Sequence, residues 1–253
     1  STADSVYIGS GSAGLGVTTG NDNVCIGKNT GQDLTSGAAN VLVGKNAGLN
    51  ITTAQNNVVI GKDAWGSGVG VASGGVAGQY NVVVGGGAGN NLTEGYSNVA
   101  IGYEAGTAIT TGAQNILLGK DAGGACTNNA NNIVIGTSAF DAATSGEEKN
   151  IAIGTSALGS EASGADGCVA IGHQALEDQN REDSKNTAIG YFALRNLGSG
   201  GSATGGIRNV AVGYQAGGTG VFGGGGSDGD GNDNTMVGYK AGELISTGKD
   251  NTI

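Results

Sequence analysis

Three consecutive apolar residues, closed by a Gly and usually opened by an Asn, recur along the whole chain. Val58-Val59-Ile60 and Ile133-Val134-Ile135 are typical: short, β-branched and bounded by turn formers, which is a strand pattern and lacks any helical period. With the closing Gly as register mark, units stand at Gly9, Gly27, Gly44, Gly61, Gly85, Gly102, Gly119, Gly136, Gly154, Gly172, Gly190, Gly213 and Gly238. The steps between them are 18, 17, 17, 24, 17, 17, 17, 18, 18, 18, 23 and 25 residues. A basic step of 17 or 18 is too short for helical-pair repeats, whose units exceed about 30 residues, and fits one coil of a β-solenoid. The predicted fold is therefore all-β: a parallel β-solenoid of about 13 coils, forming one repeat domain over 1–253. The three long steps mark insertions at about 65–80, 195–208 and 217–233. A further unit opens at Asn251-Thr252-Ile253, so the chain is expected to be a segment of something longer.

The polar positions complete the coil. After the triplet, a second short extended segment is expected to end in turns such as Leu34-Thr35-Ser36-Gly37 and Leu92-Thr93-Glu94-Gly95, where Gly takes positive φ. Asn precedes the strand at 23, 40, 57, 81, 98, 115, 132, 150, 186, 209, 234 and 251. In stacked coils these side chains fall in line, so their amides can bond along the stack and cap the turn; Ser5 and Cys168 interrupt the series. Ala three residues after the marker, as in Ala47, Ala64, Ala88, Ala105 and Ala122, suits a tight corner.

Side chains alternate faces along a strand, so the middle residue of each triplet points opposite to its two neighbours. The middle residues, from Tyr7, Cys25 and Leu42 to Ala211, Met236 and Ile253, include no charged or amide residue. In a single solenoid that middle face is expected to be the wet one, so its unbroken apolar column is expected to be buried against partner subunits. The Ala residues between Ala152 and Ala211 would then bring subunits close, and Leu42, Val59, Val83 and Leu117 would space them apart.

The units Asn150-Ile151-Ala152-Ile153-Gly154, Asn186-Thr187-Ala188-Ile189-Gly190-Tyr191 and Asn209-Val210-Ala211-Val212-Gly213-Tyr214-Gln215-Ala216-Gly217 resemble the head repeats of trimeric autotransporter adhesins, the YadA-like left-handed parallel β-roll. They are equally similar to the repeat tracts of bacteriophage tail fibres and other trimeric surface fibres. The resemblance covers essentially the whole chain. It implies a left-handed β-roll, a homotrimer, a place on a virion tail fibre or an extracellular cell surface, and a host cell-surface glycan or envelope protein as partner.

Composition removes several alternatives. With 54 Gly but no Pro, the chain cannot be collagen, and 38% hydrophobic against 13% charged residues opposes disorder. A net charge of −10 repels nucleic acid and anionic lipid, and no apolar run approaches the roughly 20 residues of a spanning helix. No nucleic-acid partner and no membrane insertion in this segment are expected. Cys25, Cys126 and Cys168 form no CxxC pair.

The chemistry is sparse. Gly9-Ser10-Gly11-Ser12-Ala13-Gly14 matches a dinucleotide fingerprint in form only, since no helical pattern follows. Gly44-Lys45 and Gly61-Lys62 lack the Ser or Thr of a phosphate-binding loop, and the only His is His173, so no enzyme is expected. Asp228, Asp230, Asn232 and Asp233 space oxygen ligands like the opening of a calcium loop, although Tyr239 stands at the twelfth position where a Glu would close it. Calcium is thus a possible cofactor there, with a solvated turn as the other reading. Trp65, Tyr80 and Phe222 lie in or beside insertions and are candidate receptor contacts, Trp65 alternatively covering the coil beneath it. A third class of function, an ice-binding solenoid, would use Thr18, Thr35, Thr52, Thr93 and Thr110, a row broken at Ala125-Cys126.

Overall fold

The computed structural model describes residues 4–69, 77–160, 165–178, 184–197, 206–218, 231–245 and 248–253. Its strands are all three residues long: β1 Val6–Ile8, β2 Val24–Ile26, β3 Val41–Val43, β4 Val58–Ile60, β5 Val82–Val84, β6 Val99–Ile101, β7 Ile116–Leu118, β8 Ile133–Ile135, β9 Ile151–Ile153, β10 Val169–Ile171, β11 Thr187–Ile189, β12 Val210–Val212 and β13 Thr235–Val237. These 13 parallel strands are the apolar triplets of the repeat, and they form a β-solenoid. The chain divides into two compact units, Ser1–Ala130 and Asn131–Ile253. In the first, β1 to β7 pair in chain order; in the second, β8 to β13 do the same. The register is strict, first residue on first and middle on middle, as in Val41↔Val58, Leu42↔Val59 and Val43↔Ile60. The 24-residue step across the first insertion leaves it unchanged, Val58 pairing with Val82.

Only one segment per coil is a regular strand. The expected second segment still bonds coil to coil, Thr35 N–H donating to Thr52 O at 2.8 Å and Thr93 N–H to Thr110 O at 2.9 Å, yet it is broken into turns. Left-handed corners are the reason, because a residue there cannot continue a pleat. In the coil of Gly61 they fall at Asp63 (φ 55°), Trp65 (φ 44°) and Tyr80 (φ 59°), and the same register positions are left-handed in other coils. The marker Gly has a different constraint. Gly102 sits at φ 143°, and a Cβ on it would lie 2.2 Å from Gly119 O in the next coil, so no other residue fits the column.

The Asn positions form the expected ladder. Asn40 donates twice to Asn23 Oδ1, from its backbone N–H at 3.0 Å and its Nδ2 at 3.1 Å, and Nδ2 also donates to Ala54 O at 2.9 Å. The two interruptions are bridged differently: Ser5 Oγ accepts from Asn23 N–H at 3.0 Å, and Cys168 N–H donates to Asn150 Oδ1 at 2.9 Å. These amides are fully buried, so each bond satisfies a group that would otherwise be orphaned.

The outward face of the strand is the reverse of the one expected. The middle residues Cys25, Leu42, Val59, Val83, Ala100 and Leu117 in the first unit, and Val134, Ala152, Ala170, Ala188, Ala211 and Met236 in the second, are at most 1% exposed and form the core of their own solenoid. With one strand per coil, the rest of the coil folds back over that face and closes it without a partner. Coil filling then explains their sizes. Ala152, Ala170 and Ala188 are small because Leu158, Leu176 and Leu194, from the corner four residues past the marker, are wholly buried in the same coils. Where that corner is Gly, as at Gly48 and Gly106, the core takes Leu42 with Ile51, or Ile109; a Cβ on Gly48 would stand 2.8 Å from Ile51 Cδ1.

Candidate functional surfaces

The first and third residues of each triplet, displaced from the core by this arrangement, face outward in two parallel columns. Val6, Ile8, Ile26, Val41, Ile60, Ile116 and Leu118 are exposed in the first unit, as are Ile133, Ile189, Val210 and Val237 in the second, and their column neighbours are mostly half-buried. Thr187 and Thr235 are the only polar members, and no member is charged. Each unit therefore presents a β-branched apolar face, although the chain carries a net charge of −10. Isolated exposed apolar side chains are ordinary; a continuous in-register face is not.

Beside that face runs the column one residue past each marker. In the second unit it becomes an aromatic ladder: Tyr191 stacks on Tyr214 with ring centroids 5.5 Å apart and planes 5° apart, and Tyr214 on Tyr239 at 5.4 Å and 8°. His173, which the sequence left as a lone variable residue, stacks on Tyr191 at 4.9 Å. The signal was present in Gly190-Tyr191, Gly213-Tyr214 and Gly238-Tyr239, three Tyr residues at one register position.

In the first unit the same column is cationic and then interrupted. Lys28, Lys45 and Lys62 are followed by Gly86, then by Tyr103 and Lys120. The missing side chain leaves an open cleft of about 330 Å³ lined by Lys62, Asp63, Gly86, Gly87, Asn90, Tyr103 and Glu104. Lys62 Nζ lies 3.3 Å from Asp63 Oδ2. Asp63 also accepts from Asn46 Nδ2 at 2.8 Å, and this bond first, then Lys62, holds its carboxyl below the usual value. A hydrogen bond to the Glu104 carboxylate pushes the Tyr103 phenol above its ordinary value.

The residues singled out from sequence are dispersed. Trp65 is corrected from a receptor contact to a core residue: it is wholly buried, and its indole N–H donates to Leu92 O at 2.7 Å. A left-handed corner aims it inward, where Phe140 and the Leu residues of the second unit also point. Tyr80 is exposed, on the corner preceding Asn81. Phe222, Asp228 and Asp230 lie outside the described residues. The other two members of the acidic run have protein partners: Asn232 Oδ1 accepts from Ile207 N–H at 2.9 Å, and Asp233 is gripped by Arg208, Nε and one terminal nitrogen each 2.7 Å from a carboxylate oxygen. That pairing holds the Asp233 carboxyl below its ordinary value. Among the described residues, no group of three or more His, Cys, Asp or Glu could hold a metal ion, and no helix is long and apolar enough to cross a membrane.

Set against protein-family models, curated proteins and solved structures, the chain finds no match.

Proposed function

We propose that the chain is the shaft of a homotrimeric structural and adhesive fibre, of the viral tail-fibre kind, that carries host-attachment surfaces on a rigid solenoid. The observation that carries this reading is the outward apolar face of the strands. A parallel ladder of Val and Ile with no charge in it is stable in water when it is covered, and three copies around an axis cover it symmetrically. The virion setting, a host glycan or envelope protein as partner, and the absence of catalysis rest on the resemblance of the repeats and, among the described residues, on the lack of an acid, base and nucleophile in one place. An extracellular bacterial adhesin head is the neighbouring reading, since it would use the same shaft.

Ice binding receives less support. The Thr hydroxyls are committed along the stack, Thr35 Oγ1 donating to Thr52 O at 3.1 Å and Thr93 Oγ1 to Thr110 O at 2.9 Å, so their protons are not offered to an ordered water lattice.

The test is a pair of substitutions one residue apart. Val99→Lys with Ile101→Lys, on the outward face, is expected to yield a folded monomer, whereas Ala100→Lys, in the buried middle column, is expected to lose the fold. If the outward double variant assembles like the parent, the face is not the subunit interface. Attachment is read separately: trimers of the parent should coat host cells, and the monomeric variant should bind them about 10² to 10⁴ times more weakly through lost avidity.

A further inference from the structure

We propose that the cleft at Gly86-Gly87 is a binding notch for a neutral pyranose ring, with Tyr103 as its platform. It gives the glycan contact of the proposed fibre a location and in that respect rests on that reading.

The notch exists because one coil omits two side chains that its neighbours supply. The coil before contributes Lys62 and Asp63 at the two positions after the marker, and the coil after contributes Tyr103 and Glu104. The coil between them contributes Gly86 and Gly87. A Cβ at Gly86 would meet Tyr103 Cδ2 at 3.7 Å and Lys62 O at 3.8 Å, ordinary contact distances, so the column has room for a side chain that this coil does not supply. Adjacent coils lie about 4.8 Å apart, which places Lys62 and Tyr103 about 9.6 Å apart along the stack and leaves a slot one ring thick.

The two faces of Tyr103 are unequal. Lys120 Nζ lies over the ring at 5.9 Å from its centroid and is itself held by Asp121. The opposite face looks across Gly86, where other coils would place a side chain. A half-covered aromatic ring with one face free, in a slot with hydrogen-bonding edges, matches the apolar C–H face and equatorial hydroxyls of a pyranose. In the Tyr191, Tyr214 and Tyr239 ladder the facing rings of neighbouring coils occupy each other, so no ring-wide slot opens between them.

The charges select a neutral ligand. Asp63 and Glu104 outweigh Lys62 and so repel phosphate and sulfate, and each charge is locally paired, Lys62 with Asp63 and Glu104 with the Tyr103 hydroxyl, which leaves little to hold a free cation. What remains is a ring of acceptors and donors: two carboxylates, an ammonium, and Asn90, whose Oδ1 is already fixed by Gly66 N–H at 3.1 Å. Carboxylates accept from two vicinal hydroxyls, and the ammonium and amide donate to hydroxyl oxygens. The cleft volume of about 330 Å³ is at the small end of ligand pockets, roughly 300–1,000 Å³, and suits a single ring.

Saturation-transfer NMR on the whole protein tests this, with methyl glycosides of gluco, galacto and manno configuration as probes and with phosphate and tetramethylammonium as charged controls. Binding to at least one neutral glycoside is expected, with a Kd on the order of 1 mM for so small a ligand. Transfer should be strongest at the ring C–H protons and should fall at least about tenfold in Tyr103→Ala, as expected when the stacking platform is removed. Gly86→Tyr should abolish it by filling the slot with the residue that its column accepts at Tyr103. Tyr103 is exposed and half-buried Gly86 has room for a side chain, so both variants should keep the parental melting temperature; if Gly86→Tyr fails to fold, Tyr103→Ala decides. Absence of transfer to all three glycosides, transfer undiminished in Tyr103→Ala, or binding of a charged probe alone overturns the proposal. Because the readout is sugar in solution, it can fail while trimer assembly and cell attachment persist, and it can succeed where they fail.

Discussion

At the residue scale, the buried Asn ladder replaces what a disulfide or a larger core supplies in other small coils: it saturates the backbone where the chain turns into each strand. Asn98 shows what one member does. Its Nδ2 donates to Asn81 Oδ1 at 3.2 Å and Gly112 O at 2.7 Å, and its Oδ1 accepts from the backbone and side chain of Asn115 at 3.1 and 3.0 Å. Asn98→Ala would orphan the Gly112 carbonyl and the Asn115 N–H, each costing about 1–3 kcal/mol when buried. Urea titration should register a loss of that size, while Asn50→Ala, whose one side-chain bond is exposed, should stay within about 0.5 kcal/mol of the parent. This ladder was legible in the sequence because the Asn spacing repeats with the strands. Cys25 lies in the buried middle column, and burial pushes its thiol from 9.0 up to about 11. The folded state keeps the proton that the unfolded chain releases near pH 9, so this contribution to stability is present below pH 9 and lost between pH 9 and about 11. A falling urea midpoint across that window, smaller in Cys25→Ala, is the expected result.

At the element scale, the strands and their register could be read directly, but not which face was inward. Alternation divides a triplet into two sets without saying which is inside, and here both sets are apolar, so the usual polar marker of the wet face is absent. The deciding residues lay elsewhere in the coil, at the left-handed corner four positions past the marker, where Leu in place of Gly ran against local preference. Leu158 (φ 50°), Leu176 (φ 51°) and Leu194 (φ 45°) accept backbone strain of about 1–2 kcal/mol each to fill the space left by Ala152, Ala170 and Ala188. Leu176→Gly should relieve that strain yet open a cavity costing about 2–5 kcal/mol, for a net destabilisation. Ala170→Leu should destabilise the parent by overpacking and restore much of the loss in the Leu176→Gly background. Additive effects in that double-mutant cycle would mean that the two positions do not share one volume. Trp65 belongs to the same corner position, which is why the residue taken from sequence as a candidate receptor contact packs into the core instead.

At the scale of the whole molecule, each unit turns one apolar strand face to the outside, in a chain whose net charge is −10. Such a surface favours association through the face alone, with like charge discouraging contact elsewhere. The candidate sugar notch was not legible in advance, because it is made by an omission: Gly86 and Gly87 pass unnoticed in a chain with 54 Gly until neighbouring coils show what that column normally carries. Covering the exposed face should also make the melting temperature depend on protein concentration. The most direct measurement is the mass of the purified protein by light scattering coupled to size exclusion. A value near three times 24.3 kDa, falling to 24.3 kDa in the Val99→Lys, Ile101→Lys variant with its circular dichroism intact, is the expected result; a stable, soluble parent at 24.3 kDa would contradict a fibre built on that face.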